Sequence, residues 1–153
     1  MLLTSLVLIV LAAYILESFL DHLNQSRARD PLDSSIANLY DAEERERSIT
    51  YSAEKTRFGF FSSTFSTVIL ILSLSYGWFA TLDNWVRDRF DNQILVSLVF
   101  IASLSIISWW LNLPFQLYSI FGIEARYGFN KITPKTFITD TIKATLLGTV
   151  IGG

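Results

Sequence analysis

Hydrophobic residues along this chain occur in long blocks that are separated by polar segments. Three blocks, at about residues 1–20, 58–80 and 94–113, each approach the roughly 20 residues that a helix needs to cross a bilayer. A fourth block covers residues 141–153 and is shorter than a full span. The pattern therefore predicts an all-α integral membrane helical bundle with three full transmembrane helices and the start of a fourth.

Two features of the fourth block indicate that it packs against other helices. A half span would leave backbone carbonyls unpaired in hydrocarbon, so we expect the natural protein to continue, or this piece to be stable only inside something larger. Ala144, Gly148 and Gly152 recur every four residues, which predicts a small-residue face for packing against another helix.

The polar segments complete the predicted order of elements. Residues 21–57 are expected to form a helical loop, with one helix after Asp30 and a second that begins near residue 50 and enters the membrane directly. Residues 81–93 are expected to form a short polar loop. The first block carries no basic n-region, which favours an uncleaved span over a signal peptide.

The basic residues predict how the chain is oriented. Segments 21–57 and 124–143 hold ten of the twelve Lys and Arg residues, and the loop at 81–93 holds two. The positive-inside rule places the two basic segments in the cytoplasm and the N-terminus outside. The expected location is a bacterial cytoplasmic membrane or the endoplasmic reticulum, with several passes through the bilayer.

The amino-acid composition excludes several kinds of catalytic and binding site. The net charge of −2 argues against a nucleic-acid partner, and the absence of cysteine excludes thiolate catalysis and Cys-bound metals. His22 is the single histidine, whereas an H-E-x-x-H zinc helix needs two. No nucleophile elbow, P-loop or dinucleotide fingerprint is present. The chain therefore contains no complete catalytic constellation, and no metal ligand is expected in it.

The stretch from residue 111 to residue 143 carries the candidate site. Polar groups at membrane depth are costly, so they suggest a role in a water-filled cavity or in bracing a neighbouring catalytic domain. The polar candidates are Glu124, Arg126, Asn130, Thr133, Asp140 and Lys143.

Each candidate also has a local explanation, and the two interpretations stay open at this point. Pro114 should kink or end the third span. Gly128 or Asn130 would take a left-handed turn position, and Thr133 would cap a helix. Asp140 would pair with a lysine three residues along the same helix face.

The same stretch resembles the N-terminal membrane domain of the type I CAAX prenyl proteases. The family pattern has a Pro after a membrane helix, then Tyr, Ile-Glu, Gly-Phe-Asn, a Thr and a Phe-x-x-Asp-x-x-Lys helix start. The matching residues are Pro114, Tyr118, Ile123, Glu124, Gly128, Phe129, Asn130, Thr133, Phe137, Asp140 and Lys143. A second match, to the lead into the second span, consists of Tyr51, Lys55, Arg57 and Phe58. Together they cover most of the chain after about residue 40.

The resemblance implies an integral-membrane zinc metallopeptidase with a seven-helix chamber and a zinc site that faces the cytoplasm. Such proteins cleave prenylated C-terminal motifs or, in bacteria, serve membrane-protein quality control. Their zinc ligands lie in a later H-E-x-x-H helix and a distant Glu, which this sequence does not contain. The matched residues are thus chamber and packing residues, and zinc is expected only in the full-length protein.

The resulting hypothesis is the N-terminal transmembrane portion of a CAAX-prenyl-protease-like zinc metalloendopeptidase. Its expected partners are the lipid bilayer, the remaining C-terminal catalytic part, and prenylated or membrane protein substrates. The 153-residue chain alone is predicted to be inactive and to bind no zinc. The alternative is a stand-alone membrane scaffold without catalytic activity, and an in-frame H-E-x-x-H downstream of Gly153 would distinguish the two. A small channel or transporter is disfavoured, because no span has an ionisable residue near its middle.

Overall fold

A computed structural model describes residues 1–28 and 42–152, and these residues form helices and short connections without a strand. The five α-helices are α1 Leu2–Ala28, α2 Ala42–Ser75, α3 Trp78–Arg87, α4 Gln93–Leu117 and α5 Pro134–Gly152. A π-helical segment, Tyr118–Glu124, follows α4 without interruption. Three stretches are long and apolar enough to cross a membrane, namely Leu2–Arg27, Glu43–Ser75 and Gln93–Glu124. The all-α membrane fold predicted from the hydrophobic pattern is confirmed.

Helix α2 is much longer than its apolar part. It begins at Ala42, so the expectation of a separate helix start near residue 50 is wrong. No Pro or Gly occurs between Ala42 and Phe58, and the charged residues there favour helix, so nothing interrupts the backbone before the apolar run. The helix expected after Asp30 lies outside the described residues as far as residue 41, and its remaining part is the start of α2.

Residues 81–93 contain a helix where a polar loop was predicted. Gly77 has a φ of 69°, a left-handed conformation that glycine adopts at low cost, and it ends α2 and allows α3 to start in a new direction. Within α3, Arg87 Nε donates to Asp83 Oδ2 one turn earlier at 2.7 Å. Asn92 then caps α4, because its Oδ1 accepts from the backbone N–H groups of Ile94 and Leu95.

Pro114 does not end the third span. It lies inside α4, and the helix continues into the π-helical segment. The apolar residues after Pro114 provide the physical reason, since they pack on α2. The ring of Phe115 lies 5.0 Å from Phe65 and 6.1 Å from Phe61.

The spans contact one another through a few polar bonds and many aromatic rings. Tyr14 on α1 shares a 2.6 Å hydrogen bond with Thr64 on α2, and Ser66 on α2 donates to Asn112 on α4 at 3.4 Å. Such bonds hold helices together where lipid leaves no hydrophobic gain from packing. In the described ranges the buried apolar side chains are Val86, Val96 and Ile123. Most apolar side chains therefore face outward, as expected for a lipid-exposed bundle.

Helix α5 begins as predicted and stands apart from the other helices. Thr133 Oγ1 accepts from the backbone N–H of Thr136 at 3.2 Å, with Pro134 at the first helical position, so the predicted cap is confirmed. Phe137 meets Phe121 edge to face, with ring centroids 6.1 Å apart. A groove of about 600 Å³ separates α5 from α4. A Cβ added at Gly148 would meet no atom within 4 Å.

Candidate functional site: a polar clasp between the second helix and the end of the fourth

The charged start of α2 packs against the chain that follows α4. Six residues carry the polar part of this contact, and we call them the polar clasp: Arg47, Glu54, Lys55, Glu124, Arg126 and Tyr127. The two segments lie about 70 residues apart in the sequence, at the same end of the helical bundle. The structure thus brings together the two basic segments that the charge pattern placed on one side.

Two ion pairs form the centre of the polar clasp. Lys55 Nζ lies 2.9 Å from Glu124 Oε1, and Arg126 Nη1 lies 2.6 Å from Glu54 Oε1. Glu54 and Lys55 are neighbours on α2, and each therefore contacts a residue of the opposite charge in the segment that follows α4. The side chains are partly exposed, so each pair is worth up to about 1 kcal/mol, and the two together specify register more than they add stability.

Tyr127 adds a hydrogen bond that uses the second oxygen of Glu54. Its hydroxyl donates to Glu54 Oε2 at 2.9 Å. The hydrogen bond to this carboxylate is the main reason that the pKa of Tyr127 is raised above its ordinary value, because only the neutral phenol can donate. Lys55 Nζ in turn donates to the hydroxyl of Tyr51 at 2.9 Å. The carboxylate of Glu54 and the ammonium of Lys55 therefore each bind two partners.

A glycine turn delivers Tyr127 and the residues after it to α2. Gly128 has a φ of 73°, and the N–H groups of Phe129 and Asn130 both donate to the carbonyl of Glu124, at 2.9 and 3.1 Å. Arg47 Nη2 donates to the carbonyl of Tyr127. A Cβ on Gly128 would lie 2.8 Å from that guanidinium nitrogen. Both the backbone conformation and the close approach of Arg47 therefore favour glycine at this position.

Aromatic rings pack beside the polar clasp and continue from it along α2 toward the membrane core. The ring of Tyr51 lies 4.7 Å from Phe129 and 5.5 Å from Tyr127. Two turns further along α2 from Tyr51, Phe58 lies 4.9 Å from Tyr118, the first residue of the π-helical segment. These rings link the polar clasp to the packed spans.

The structure unites several of the residues that carry the sequence motifs. Glu124 pairs with Lys55, Phe129 packs on Tyr51, and Tyr118 packs on Phe58. Gly128 lies against Arg47 of α2. The left-handed turn position belongs to Gly128.

The other motif residues lie away from the polar clasp. Asn130 Oδ1 accepts from the N–H of Ile132 at 2.6 Å, which stabilises the connection to α5. Asp140 and Lys143 lie exposed on α5, and the ion pair expected between them is absent from the described residues. Pro114 lies exposed inside α4.

Arg47, Glu54 and Tyr127 were not among the sequence candidates. Their partners lie more than 70 residues away, so no local spacing reveals them. One signal was present in the charges. Glu54-Lys55 before the second span and Glu124-x-Arg126 after the third carry complementary signs in segments predicted to share one side.

The described residues do not fit a zinc ion. Within residues 1–28 and 42–152, no group of three His, Cys, Asp or Glu side chains is arranged to hold a metal. The polar clasp offers two carboxylates, Glu54 and Glu124, and each is already bound to a cation. We therefore assign no metal-dependent step to this part of the chain.

Taken together, the long apolar helices and the charged clasp at one end define a multi-pass α-helical membrane protein. The family described as CAAX prenyl protease N-terminal, five membrane helices, matches residues 20–153, and the chain belongs to this family. The resemblance found in the motifs is thereby confirmed.

Individual relatives agree with this membership. The chain is 34% identical over 151 residues to a CAAX prenyl protease 1 homolog of Arabidopsis thaliana, covering 94% of this chain and 36% of that protein. It is 36% identical over 148 residues to the homolog of Oryza sativa subsp. japonica, covering 91% and 35%. The crystal structure of S. mikatae Ste24p superimposes with a TM-score of 0.84 at 28% identity, covering 96% of this chain and 36% of that one. This chain therefore spans about a third of the length of these relatives and corresponds to their N-terminal membrane portion.

Proposed function

We propose that this chain forms the N-terminal part of the intramembrane chamber of a CAAX-prenyl-protease-like zinc metalloendopeptidase. Family membership supports the class of protein, and coverage of about a third of each relative supports a partial role. In this proposal the zinc ligands and the general base belong to the portion of such proteins that this chain does not cover. Prenylated proteins or other membrane proteins are the proposed substrates.

The polar clasp is the observation that carries the proposed role. It fixes the segment that precedes α5 against α2 through two ion pairs, a tyrosine hydrogen bond and an arginine bond to a carbonyl. A chamber that cuts a peptide chain must keep its wall helices in register, because small misplacements of a reacting group cost large factors in rate. The polar clasp supplies that register at the end where the basic segments lie.

The same end is proposed to face the cytoplasm. The Lys and Arg residues of α2 and of the segment after α4 meet there, and basic residues are retained on the cytoplasmic side of membranes. The N-terminus of α1 then lies outside. This orientation applies equally in a bacterial cytoplasmic membrane and in the endoplasmic reticulum.

Substitutions in the full-length protein test the chamber role. We expect Glu124→Gln to lower proteolysis severalfold and to lower the melting temperature, because Lys55 loses its anionic partner. Asn130→Ala and Asp140→Asn probe the connection to α5 and α5 itself, and Asp88→Asn at the opposite end is the matched control. Cleavage of a fluorogenic membrane peptide is measured beside thermal unfolding. Unchanged folding and unchanged proteolysis in all three variants would contradict the proposal.

A further inference from the structure

A second polar site lies beside the polar clasp, between the ends of α1 and α2. It is an open cleft of about 580 Å³, and Glu54 and Tyr127 of the polar clasp are among its lining residues. Its lining combines charged and hydrogen-bonding side chains with one ring, including Asp21, His22, Gln25, Thr50, Arg57 and Phe60.

The register of the two helices places this cleft at the level of lipid headgroups. Tyr14 bonds to Thr64 in the antiparallel pair, so Asp21 and Arg57, each seven residues further toward the charged end, stand at one level. They lie about 10 Å from that bond, given the rise of about 1.5 Å per residue. The apolar run of α1 stops just before Asp21, and that of α2 starts just after Arg57. The cleft therefore opens where the hydrocarbon core meets the polar interface.

Two charged side chains of the cleft, Arg57 and Asp21, are unpaired, unlike those of the polar clasp. Within the described part of the chain, Arg57 and Asp21 form no ion pair with each other or with another residue. Glu54 also lines the cleft, and its carboxylate is bound to Arg126 and Tyr127. Arg57 and Asp21 thus line one cleft at the same level without contacting each other. Such a pair can bind the negative and the positive group of one zwitterion.

We propose that the cleft binds the headgroup of phosphatidylethanolamine. The lipid phosphate accepts charge-assisted hydrogen bonds from Arg57, and the lipid ammonium donates to Asp21. Gln25 and Thr50 offer further polar contacts, and the acyl chains descend beside Phe60. The site rests on this pair of charges and is independent of the proposed proteolytic function.

The charge pattern also predicts which headgroups bind less well. Phosphatidylcholine has the phosphate but a quaternary ammonium without N–H groups, so it leaves the oxygens of Asp21 without a hydrogen-bond donor. Phosphatidylglycerol has no cation for Asp21 at all. The expected order is therefore ethanolamine first, choline second and glycerol last.

Lipid retention by the full protein tests the site. The protein, extracted and exchanged into nanodiscs of equal parts of the three lipids, is analysed by native mass spectrometry of the lipids that stay bound. We expect ethanolamine lipid to be enriched about tenfold over choline lipid, the factor that corresponds to one charge-assisted hydrogen bond. Equal retention of the three lipids would overturn the proposal.

Three variants and a control separate the two charges. Arg57→Gln should abolish the enrichment, Arg57→Lys should retain part of it, and Asp21→Asn should remove only the preference for ethanolamine over choline. Arg89→Gln, at the opposite end of the spans, should change nothing. If Arg57→Gln fails to fold, Arg57→Lys and Asp21→Asn still test the two charges. Full enrichment in Asp21→Asn, or displacement of the lipid by millimolar inorganic phosphate, would contradict headgroup recognition.

Discussion

Gly128 makes a steric prediction at the scale of one residue. Gly128→Ala should destabilise the protein by about 1–2 kcal/mol, the cost of a left-handed conformation for an L-residue. The new methyl group also meets the guanidinium of Arg47, which must move away from the carbonyl of Tyr127. The measurement is the free energy of unfolding in detergent micelles, followed by tryptophan fluorescence.

Gly59 offers a matched control for that substitution. It lies inside α2, and a Cβ there would meet no atom within 4 Å. Gly59→Ala should therefore be neutral or slightly stabilising, because alanine favours helix over glycine. If the two substitutions had equal effects, the turn at Gly128 would not be under the constraint described.

Tyr127 makes a pH prediction that belongs to the same scale. Its pKa is raised in the folded state, so the bond to Glu54 stabilises the fold fully below the unfolded pKa of about 10. That contribution is lost as the pH rises through the folded pKa and the phenol ionises beside a carboxylate. Wild type should thus be more stable than Tyr127→Phe at pH 7–9, and the difference should vanish or reverse above pH 10.

Thermal unfolding at a series of pH values measures this difference. Tyr76→Phe is the control, because the hydroxyl of Tyr76 makes no hydrogen bond to a described residue. Its curve should follow that of the wild type at every pH. A Tyr127→Phe curve that also ran parallel to the wild type up to pH 11 would show that the phenol does not contribute through Glu54.

The contact between α2 and the π-helical segment predicts an energetic coupling at the scale of elements. In a cycle of Lys55→Met, Glu124→Gln and the double variant, we expect a coupling of about 0.2–1 kcal/mol, typical of a partly exposed ion pair. High salt should reduce it. A coupling of zero at low salt would mean that the two elements are joined by their rings and not by this pair.

How far the elements could be predicted depends on the range of the interactions that form them. The spans and the Thr133 cap follow from local patterns, namely apolar runs and an N-cap followed by proline. Helix α3 was missed because Asp83 within it and two aspartates after it resemble a loop, while burial of Val86 and the turn at Gly77 decide its conformation. Pro114 was expected to interrupt α4. The helix continues past it because Phe115 packs against α2.

In the candidate site, too, local patterns predict some features and distant contacts determine the others. The motifs identified Lys55 and Glu124 separately, but no spacing in a single sequence states that they touch. Glu54 and Tyr127 carry no motif at all, and only their three-dimensional proximity reveals them. Local physics thus predicts which residues form helices, and contacts across 70 residues determine which of them meet.

The orientation of the whole molecule can be measured directly. The sequence contains no cysteine, so single cysteines introduced at Glu44 and Asn84 report on one side each without background. Both residues are exposed, and they lie at opposite ends of the spans. With the protein expressed in a bacterial cytoplasmic membrane, an impermeant maleimide added to intact cells should label Asn84→Cys, whereas Glu44→Cys should react only after permeabilisation. The reverse pattern would overturn the cytoplasmic assignment of the polar clasp.

The sequence separation within the polar clasp has a consequence for synthesis at the ribosome. Arg47, Glu54 and Lys55 are made long before Glu124 and Tyr127, so they must wait until the rest of α2, α3 and α4 has been made. Their partners reach them only if the apolar part of α2 and α4 cross the bilayer in opposite directions. Closure of the contact therefore depends on correct insertion of this hairpin. A nascent chain with an inverted hairpin would keep unpaired charges and an exposed aromatic surface, the marks by which quality control selects proteins for degradation.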